Sequence, residues 1–506
     1  MQKHRKELKP IVFNDHILKP FINQINKDLN AFCINETFFT YKDFTKSISK
    51  IRDCLQLQKV VSKNVGLVVN DDLETYASIF AIWLEGLAYV PLHPLQPIER
   101  NIEIIDQAEV SLILDSSLVS KYEKFEKIAT NELVFNKFNL EIKEIADSEL
   151  AYILFTSGST GKPKGVSITR GNVGTFIKSF FEIGFDITEK DRCLQVFDLT
   201  FDVSVQSYLV PLTRGACTFT IPHDQIKFSY VFGLLEDHEI TFGAMAPSML
   251  RYLRPYFDEI NIPSMRYNIL TAEASPIELV DEWKTCLPNA RLFNFYGPTE
   301  ATIYCTYYEI LRDSKNKSLN GMFSIGKAME GLEAVILIDG DITKAPGIKG
   351  ELCVAGDQVT PGYWKNDSKN KDSFITKIIN NKELRFYRTG DSCNFDNDGD
   401  ILLYGRIDYQ VKIQGYRIEL GEIEYKVRDY LNGVNAISIA FTNNTGNTEL
   451  ALFVESKEVS GDAIKNYLST QLPPYMLPSK LYFLNEFPLN TSGKTDRIVL
   501  KSLINT

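Results

Sequence analysis

The residues best equipped for chemistry lie in one run, LFTSGSTGKPKGV, from Leu154 to Val166. An apolar stretch leads into nine residues, 156–164, with four hydroxyls (Thr156, Ser157, Ser159 and Thr160), two glycines (Gly158 and Gly161) and two lysines (Lys162 and Lys164). Glycines let backbone N–H groups approach a ligand closely, hydroxyls donate to phosphate oxygens, and ammonium groups supply countercharge, so the run reads as a phosphate cradle. It is not a Walker loop. That motif needs glycine where Thr156 stands and Ser or Thr where Pro163 follows Lys162. A solvated surface turn rarely combines these residues directly after an apolar strand.

Such a cradle has to be carried by a rigid scaffold. From Val65 the strand-like runs VGLVV, AYVPL and SLILD alternate with a helical pattern from Leu73 to Leu84, the signature of βαβ units. ITFGAM (Ile240 to Met245), YNILTA (Tyr267 to Ala272) and RLFNF (Arg291 to Phe295) each run into a polar or glycine-rich turn, which places ligand groups at strand ends. After Gly405 the charged RIDYQ precedes the strand-like VNAISIAF and ELALFVES and a final amphipathic helix pattern. The expected fold is a large α/β N-terminal domain of β-sheets and helices over 1–407. A small, mobile α+β C-terminal domain over 408–506 should follow, with a hinge at Asp408. At 506 residues one core would be too large, which agrees with two units.

Composition removes several classes. A net charge of -10 repels polyanions, so neither nucleic acid nor an anionic membrane is an expected partner. No apolar run has signal-peptide or membrane-spanning length, and the expected location is cytoplasmic. The eight cysteines (Cys33, Cys54, Cys193, Cys217, Cys286, Cys305, Cys353, Cys393) form no CxxC pair and find no histidines at zinc spacing, so they read as reduced core thiols. The five dispersed histidines argue against a Ser-His-Asp triad.

Seven ordered motifs carry a resemblance across most of the chain. Besides the cradle they are GLAYVPLHP (Gly86 to Pro94), FDLTFDVSV (Phe197 to Val205), FNFYGPTEAT (Phe293 to Thr302), YRTGD (Tyr387 to Asp391), GRIDYQVKIQGYRIELGEIE (Gly405 to Glu424) and PLNTSGKTDR (Pro488 to Arg497). The sequence resembles the adenylate-forming superfamily: peptide-synthetase adenylation domains, D-alanine:carrier-protein ligases, acyl-CoA synthetases and luciferases. The resemblance implies ATP and Mg²⁺ as cofactors. It implies that Tyr296 stacks on adenine beside Gly297, that Thr299 contacts the α-phosphate, and that Glu300 is the metal ligand. Those roles suit a flat π surface for adenine and a hard oxygen ligand for magnesium. Asn294 is implied at the adenine edge, Asp391 as acceptor of the ribose diol, and Arg406 beside the same ribose. Lys494 is implied as the catalytic lysine bridging substrate carboxylate and phosphate. A carboxylate attack on the α-phosphorus needs positioning and positive charge rather than an acid-base residue. The small domain is implied to rotate about Asp408 after acyl-AMP forms, with Gly415 lining the route of the incoming thiol. Gln414, where arginine is common, and His93, where aspartate is common, depart from the peptide-synthetase pattern.

Amino-acid-activating relatives use the aspartate matching Asp202 to bind the substrate α-ammonium group, whereas fatty-acid and aryl ligases lack it. A buried carboxylate needs a cation, so Asp202 argues for an amino or imino acid. The remaining pocket positions carried across are Val203, Gln206, Ala244, Leu270, Ala272, Phe295, Ile303 and Tyr304, with Lys494 completing the set. Apart from Lys494 no second charge is present, which disfavours charged substrates, and Phe295 with Tyr304 should shorten the cavity. The Asp202, Val203, Gln206 opening and Ala272 resemble the proline-activating pattern, so L-proline is the expected substrate. The expected acceptor is a separate phosphopantetheinylated carrier protein, since about a dozen residues follow Lys494, and the expected state is a monomer. The alternatives are a D-alanine:carrier-protein ligase, an acyl- or aryl-CoA ligase, and a nucleotide-binding protein that has lost turnover.

Overall fold

A computed structural model describes residues 11–58, 60–158, 161–223, 225–456, 459–490 and 495–504. Ser159, Thr160 and Lys494 therefore lie outside the described residues.

The first strands form as the alternation of apolar runs and helical pattern requires. Asn64–Val68 is buried along its whole length and pairs in parallel with Ala88–Leu92 on one side and Leu112–Asp115 on the other. The crossover is the helix Leu73–Glu85, started by Asp72, whose carboxylate accepts from the Thr75 backbone N–H at 2.8 Å, and stopped at Gly86, whose φ of 78° suits glycine. A strand buried on both faces has no need of alternating polarity, which is why VGLVV and AYVPL read as continuous apolar runs. This seven-stranded sheet also holds the antiparallel pair Leu150–Thr156 and Lys164–Thr169, with Thr156 opposite Lys164. The phosphate cradle is thus a hairpin loop at a sheet edge, not the strand-to-helix turn of a Walker site.

A nine-stranded sheet contains Phe242–Met245, Tyr267–Leu270 and Arg291–Tyr296 as parallel neighbours. Their carboxyl ends bring Ala246, Ala272 and Gly297 to one edge, where open α/β sheets gather ligands. In a third sheet of six strands, Lys382–Phe395 pairs with Ile401–Arg406 so that Asp391 faces Arg406.

After residue 410 the packing changes. Ile413, Ile418, Ile423, Val427, Leu452 and Leu468 share a core cluster drawn entirely from the C-terminal part of the chain. It is built on the helix Leu420–Tyr430, the strands Ala436–Thr442 and Thr448–Val454 and the helix Gly461–Gln471. The hairpin Gln410–Ile413/Tyr416–Glu419 turns at Gln414 and Gly415, with φ of 51° and 81°, the double positive-φ turn that matches strand twist. All eight cysteines are free, and among the described residues no helix is long and apolar enough to cross a membrane.

Candidate active site

The sheet edges enclose a cavity of about 390 Å³ bordered by Ala272, Asn294, Tyr296, Asp391, Arg406 and Lys412. Phe295 also lines it. Tyr296 presents its ring there and donates its hydroxyl to Asp391 Oδ2, while Arg406 Nη1 stands 3.2 Å from Asp391 Oδ1. The carboxylate is therefore held from both sides and keeps lone pairs for a diol. Asn294 is locked, accepting from Ser275 Oγ at 2.9 Å and donating to the Ser324 carbonyl at 2.8 Å. Its carbonyl oxygen retains a second lone pair for an adenine edge. A Cβ on Gly297 would lie 2.4 Å from the Ile303 carbonyl oxygen, so only glycine lets the two segments cross this closely.

On the phosphate side, Thr156 Oγ1 is buried and has no hydrogen-bond partner among the described residues. Buried hydroxyls are rarely left so, and this one fits a phosphate oxygen. Lys162 is exposed and Lys164 is buried. Burial, reinforced by Arg417, lowers the Lys164 ammonium to about 8 although Glu300 and Glu419 pull the other way. A Cβ on Gly158 would strike the Lys162 carbonyl oxygen at 2.0 Å, and Gly161 has φ of 80°, which accounts for both loop glycines.

Glu300 is fully buried in the short turn Thr299–Ala301. Burial alone would raise its carboxyl, but Arg417 and then Lys164 outweigh it and hold it down at about 2. Magnesium takes one or two protein carboxylates and fills its shell with water and phosphate. An ionised Glu300 within reach of the charge of the cradle lysine Lys164 fits that pattern. The Cys33, Glu36 and His238 group, the one set of three described donors close enough together for a metal, contains none of these residues.

A second, smaller space is bordered by Asp202, Val203, Ala272, Thr299, Lys412 and Arg417. Asp202 opens the helix Asp202–Leu212; burial pushes its carboxyl up to about 6, against hydrogen bonds from Thr299 and the Val203 amide. It belongs to no ion pair among the described residues. Of the other positions carried over by resemblance, Gln206, Ala244, Leu270, Ile303 and Tyr304 are buried in the surrounding packing and do not border this space. Tyr304 donates to Gln206 Oε1 at 3.4 Å and its ring centroid lies 4.8 Å from that of Phe295.

A separate cavity of about 340 Å³ is walled by Phe197, Phe228, Met249, Tyr252, Gly415 and Tyr416. The Gly415 N–H donates to Glu273 Oε1 at 2.7 Å, and a Cβ there would touch Ala272 at 3.4 Å, so Gly415 stands between this cavity and the smaller space beside Asp202. Asp408 binds Arg406 through both carboxylate oxygens, at 2.9 and 2.7 Å. His93 pairs with Asp198 at 2.6 Å and, against the effect of burial, helps hold that carboxyl far below its usual range.

Four residues that sequence reasoning did not single out reach the site. Lys412 lies 5.8 Å from the Tyr296 ring centroid, and Arg417, Glu419 and Glu422 meet the phosphate cradle and Glu300. They lie within one of the seven motifs, but nothing beyond the density of charge in QVKIQGYRIELGE marked these four, and such charge also suits a solvated hairpin.

The sequence matches the family described as AMP-binding enzyme over residues 23–364. It is 33% identical over 479 residues to a linear gramicidin synthase of Brevibacillus parabrevis, covering 93% of this chain and 9% of that protein. It is 31% identical to tyrocidine synthase 1 of the same organism, covering 91% of this chain and 42% of that protein. The chain thus spans less than half the length of these relatives. Its fold matches the Vibrio cholerae adenylation domain AlmE, solved with glycyl-adenosine-5'-phosphate, with a TM-score of 0.86 and 24% identity over 99% of both chains. It also matches a peptide-synthetase protein containing adenylation and carrier (PCP) domains, with a TM-score of 0.84 and 23% identity over 97% of this chain and 84% of that one. The chain belongs to the AMP-binding enzyme family and is an adenylate-forming ligase.

Proposed function

We propose that the protein activates an amino acid with ATP and passes the aminoacyl group to a thiol. A substrate carboxylate oxygen attacks the α-phosphorus, the α–β phosphoanhydride bond breaks, and pyrophosphate leaves with the bonding electrons. The thiol sulfur then attacks the acyl carbon and AMP departs. Tyr296 and Asn294 take adenine, Asp391 and Arg406 the ribose, and Thr299 the α-phosphate. The cradle from Thr156 to Lys164, with Ser157, Gly158, Ser159, Thr160, Gly161 and Lys162, takes the β- and γ-phosphates. Glu300 would hold Mg²⁺, which draws charge from the departing phosphates. Lys494 neutralises the charge that builds between acid and phosphate. The lobes divide at 407/408, and rotation about Asp408 exchanges Lys494 for the Gly415 hairpin between the two steps.

One observation carries the amino-acid reading: Asp202 is buried, bordering the acid-binding space, with no ion-pair partner among the described residues. An α-ammonium group is the partner it lacks. L-Proline is the favoured substrate, from Asp202, Val203, Gln206 and Ala272, and a separate carrier protein the favoured acceptor. The packing of Phe295 against Tyr304, and the glycyl adenylate held by AlmE, favour a compact acid and keep D-alanine as the second reading. The test is pyrophosphate exchange across the twenty amino acids, D-alanine and a fatty acid. Proline should be the most active; D-alanine alone active would select the second reading, and exchange with the fatty acid alone would remove the role of Asp202.

A further inference from the structure

The segment 417–422 of the small lobe is inserted into the phosphate side of the site, and its charges follow a pattern. Arg417 Nη1 donates to Glu300 Oε2 at 2.7 Å, with Glu300 fully buried and the other carboxylate oxygen accepting from Tyr363 at 2.6 Å. Both oxygens of the candidate metal ligand are therefore occupied, one of them by a cation. Glu419 Oε1 stands 3.3 Å from the Lys164 ammonium, and Glu422 Oε2 accepts from the Gly158 backbone N–H at 3.1 Å. Ser157 Oγ donates to the Arg417 carbonyl and accepts from the Glu419 N–H, both at 2.9 Å. Three cradle donors that would hold phosphate oxygen, the Ser157 hydroxyl, the Gly158 amide and the Lys164 ammonium, are thus each met by a small-lobe oxygen.

The electrostatics explain why this segment can dock at all. Three large-lobe groups with opposite demands, an anionic metal ligand and two anion-seeking donors, are expensive to bury unpaired. One cation and two carboxylates on a single turn of chain meet those demands at once. Arg100 supports the arrangement from behind, donating to Glu422 Oε1 at 2.6 Å in a pair that is 6% and 0% exposed.

We propose that Arg417, Glu419 and Glu422 are positioning residues that act as an internal substitute for magnesium pyrophosphate. Arg417 replaces the metal on Glu300, and the two glutamates replace phosphate oxygens on Lys164 and the Gly158 amide. Docking of this segment and occupancy by Mg²⁺ with a β-phosphate are then mutually exclusive. The small lobe closes over the thiol route only after magnesium pyrophosphate has left, which orders the two half-reactions and opposes their reversal. This proposal rests on the reading given under Proposed function.

The test is hydrogen exchange on the full chain, followed over residues 410–424, with AMP, with Mg²⁺ alone, and with Mg²⁺ and α,β-methylene-ATP. The magnesium nucleotide should raise exchange of the hairpin amides about tenfold, while AMP and Mg²⁺ alone leave them protected. Removing a competitor that occupies most molecules tightens a ligand by the fraction released. Glu419→Gln should therefore raise hairpin exchange without ligand and tighten magnesium pyrophosphate, measured by calorimetry, by about three- to tenfold. Arg417→Gln is the second variant, expected to act in the same direction. Binding of the magnesium nucleotide with unchanged hairpin protection would overturn the proposal. No binding of any magnesium nucleotide by equilibrium dialysis would instead overturn the adenylation reading beneath it.

Discussion

Asp202→Asn should make the free protein more stable and the enzyme worse, and both changes can be sized from the structure. The Asp202 carboxyl rises from 3.8 to about 6 because burial disfavours its charged form more than Thr299 and the Val203 amide favour it. A folded-state value above the unfolded one means the folded chain holds the proton longer, so this group removes stability as pH rises through that window. The loss is about 1 kcal/mol at about pH 4.5 and about 3 kcal/mol at about pH 7.5. Asparagine carries no such penalty and retains an oxygen for Thr299. Its gain in unfolding free energy should therefore be largest above about pH 6 and fade toward pH 4. An α-ammonium facing a neutral amide loses about 1.5–3 kcal/mol relative to a charge-assisted bond, which is about 10- to 150-fold in kcat/KM for the amino acid. Urea unfolding at the two pH values and pyrophosphate exchange over a range of amino acid concentrations measure both. A variant less stable at high pH, or one with unchanged kcat/KM, would refute the assignment of Asp202 as an uncompensated acceptor for the substrate.

Tyr296→Leu should weaken ATP about tenfold, as expected for loss of one base-stacking aromatic, with the affinity for the amino acid changing little in equilibrium dialysis. Lys494→Ala should still bind ATP in the same assay and lose most of its adenylation rate; unchanged turnover would remove that lysine from the chemistry. Gly415→Leu has to place a side chain at φ of 81° against Ala272, on the border of the aromatic-walled cavity. Pyrophosphate exchange should survive within about twofold while thioester formation falls more than about tenfold, as blockage of only the second step requires. Equal losses in both steps would mean that Gly415 serves the fold rather than the thiol route.

The nucleotide half of the site was legible because its residues sit at strand ends, and strand ends are local features. The apolar runs before Thr156, Ala272 and Tyr296 announce the strands, and the Ser, Gly and Pro residues after them announce the turns. The glycine requirement at Gly297 and Gly158 was readable as composition, but its cause, close backbone passage that would put an added Cβ 2.4 Å from the Ile303 carbonyl oxygen and 2.0 Å from that of Lys162, is visible only in three dimensions. Pocket positions were less legible. Gln206, Ala244 and Tyr304 are buried among apolar neighbours, and whether such a residue borders a cavity or fills a core depends on packing that one sequence does not encode locally. Least legible was the role of Arg417, Glu419 and Glu422. A charged hairpin looks solvated until it is known which surface it faces, and here it faces groups more than 100 residues away, with 117 positions separating Arg417 from Glu300.

At the centre stands the claim that ATP bound between the Thr156–Lys164 cradle and Tyr296 is cut between its α- and β-phosphorus atoms by a carboxylate. ATP labelled at the α-phosphate, incubated with the purified protein, magnesium and the most active amino acid, reports this directly. The label should appear first in an aminoacyl adenylate and then in AMP, with pyrophosphate released in equal amount. Label accumulating in ADP, with inorganic phosphate as the co-product, would contradict the account.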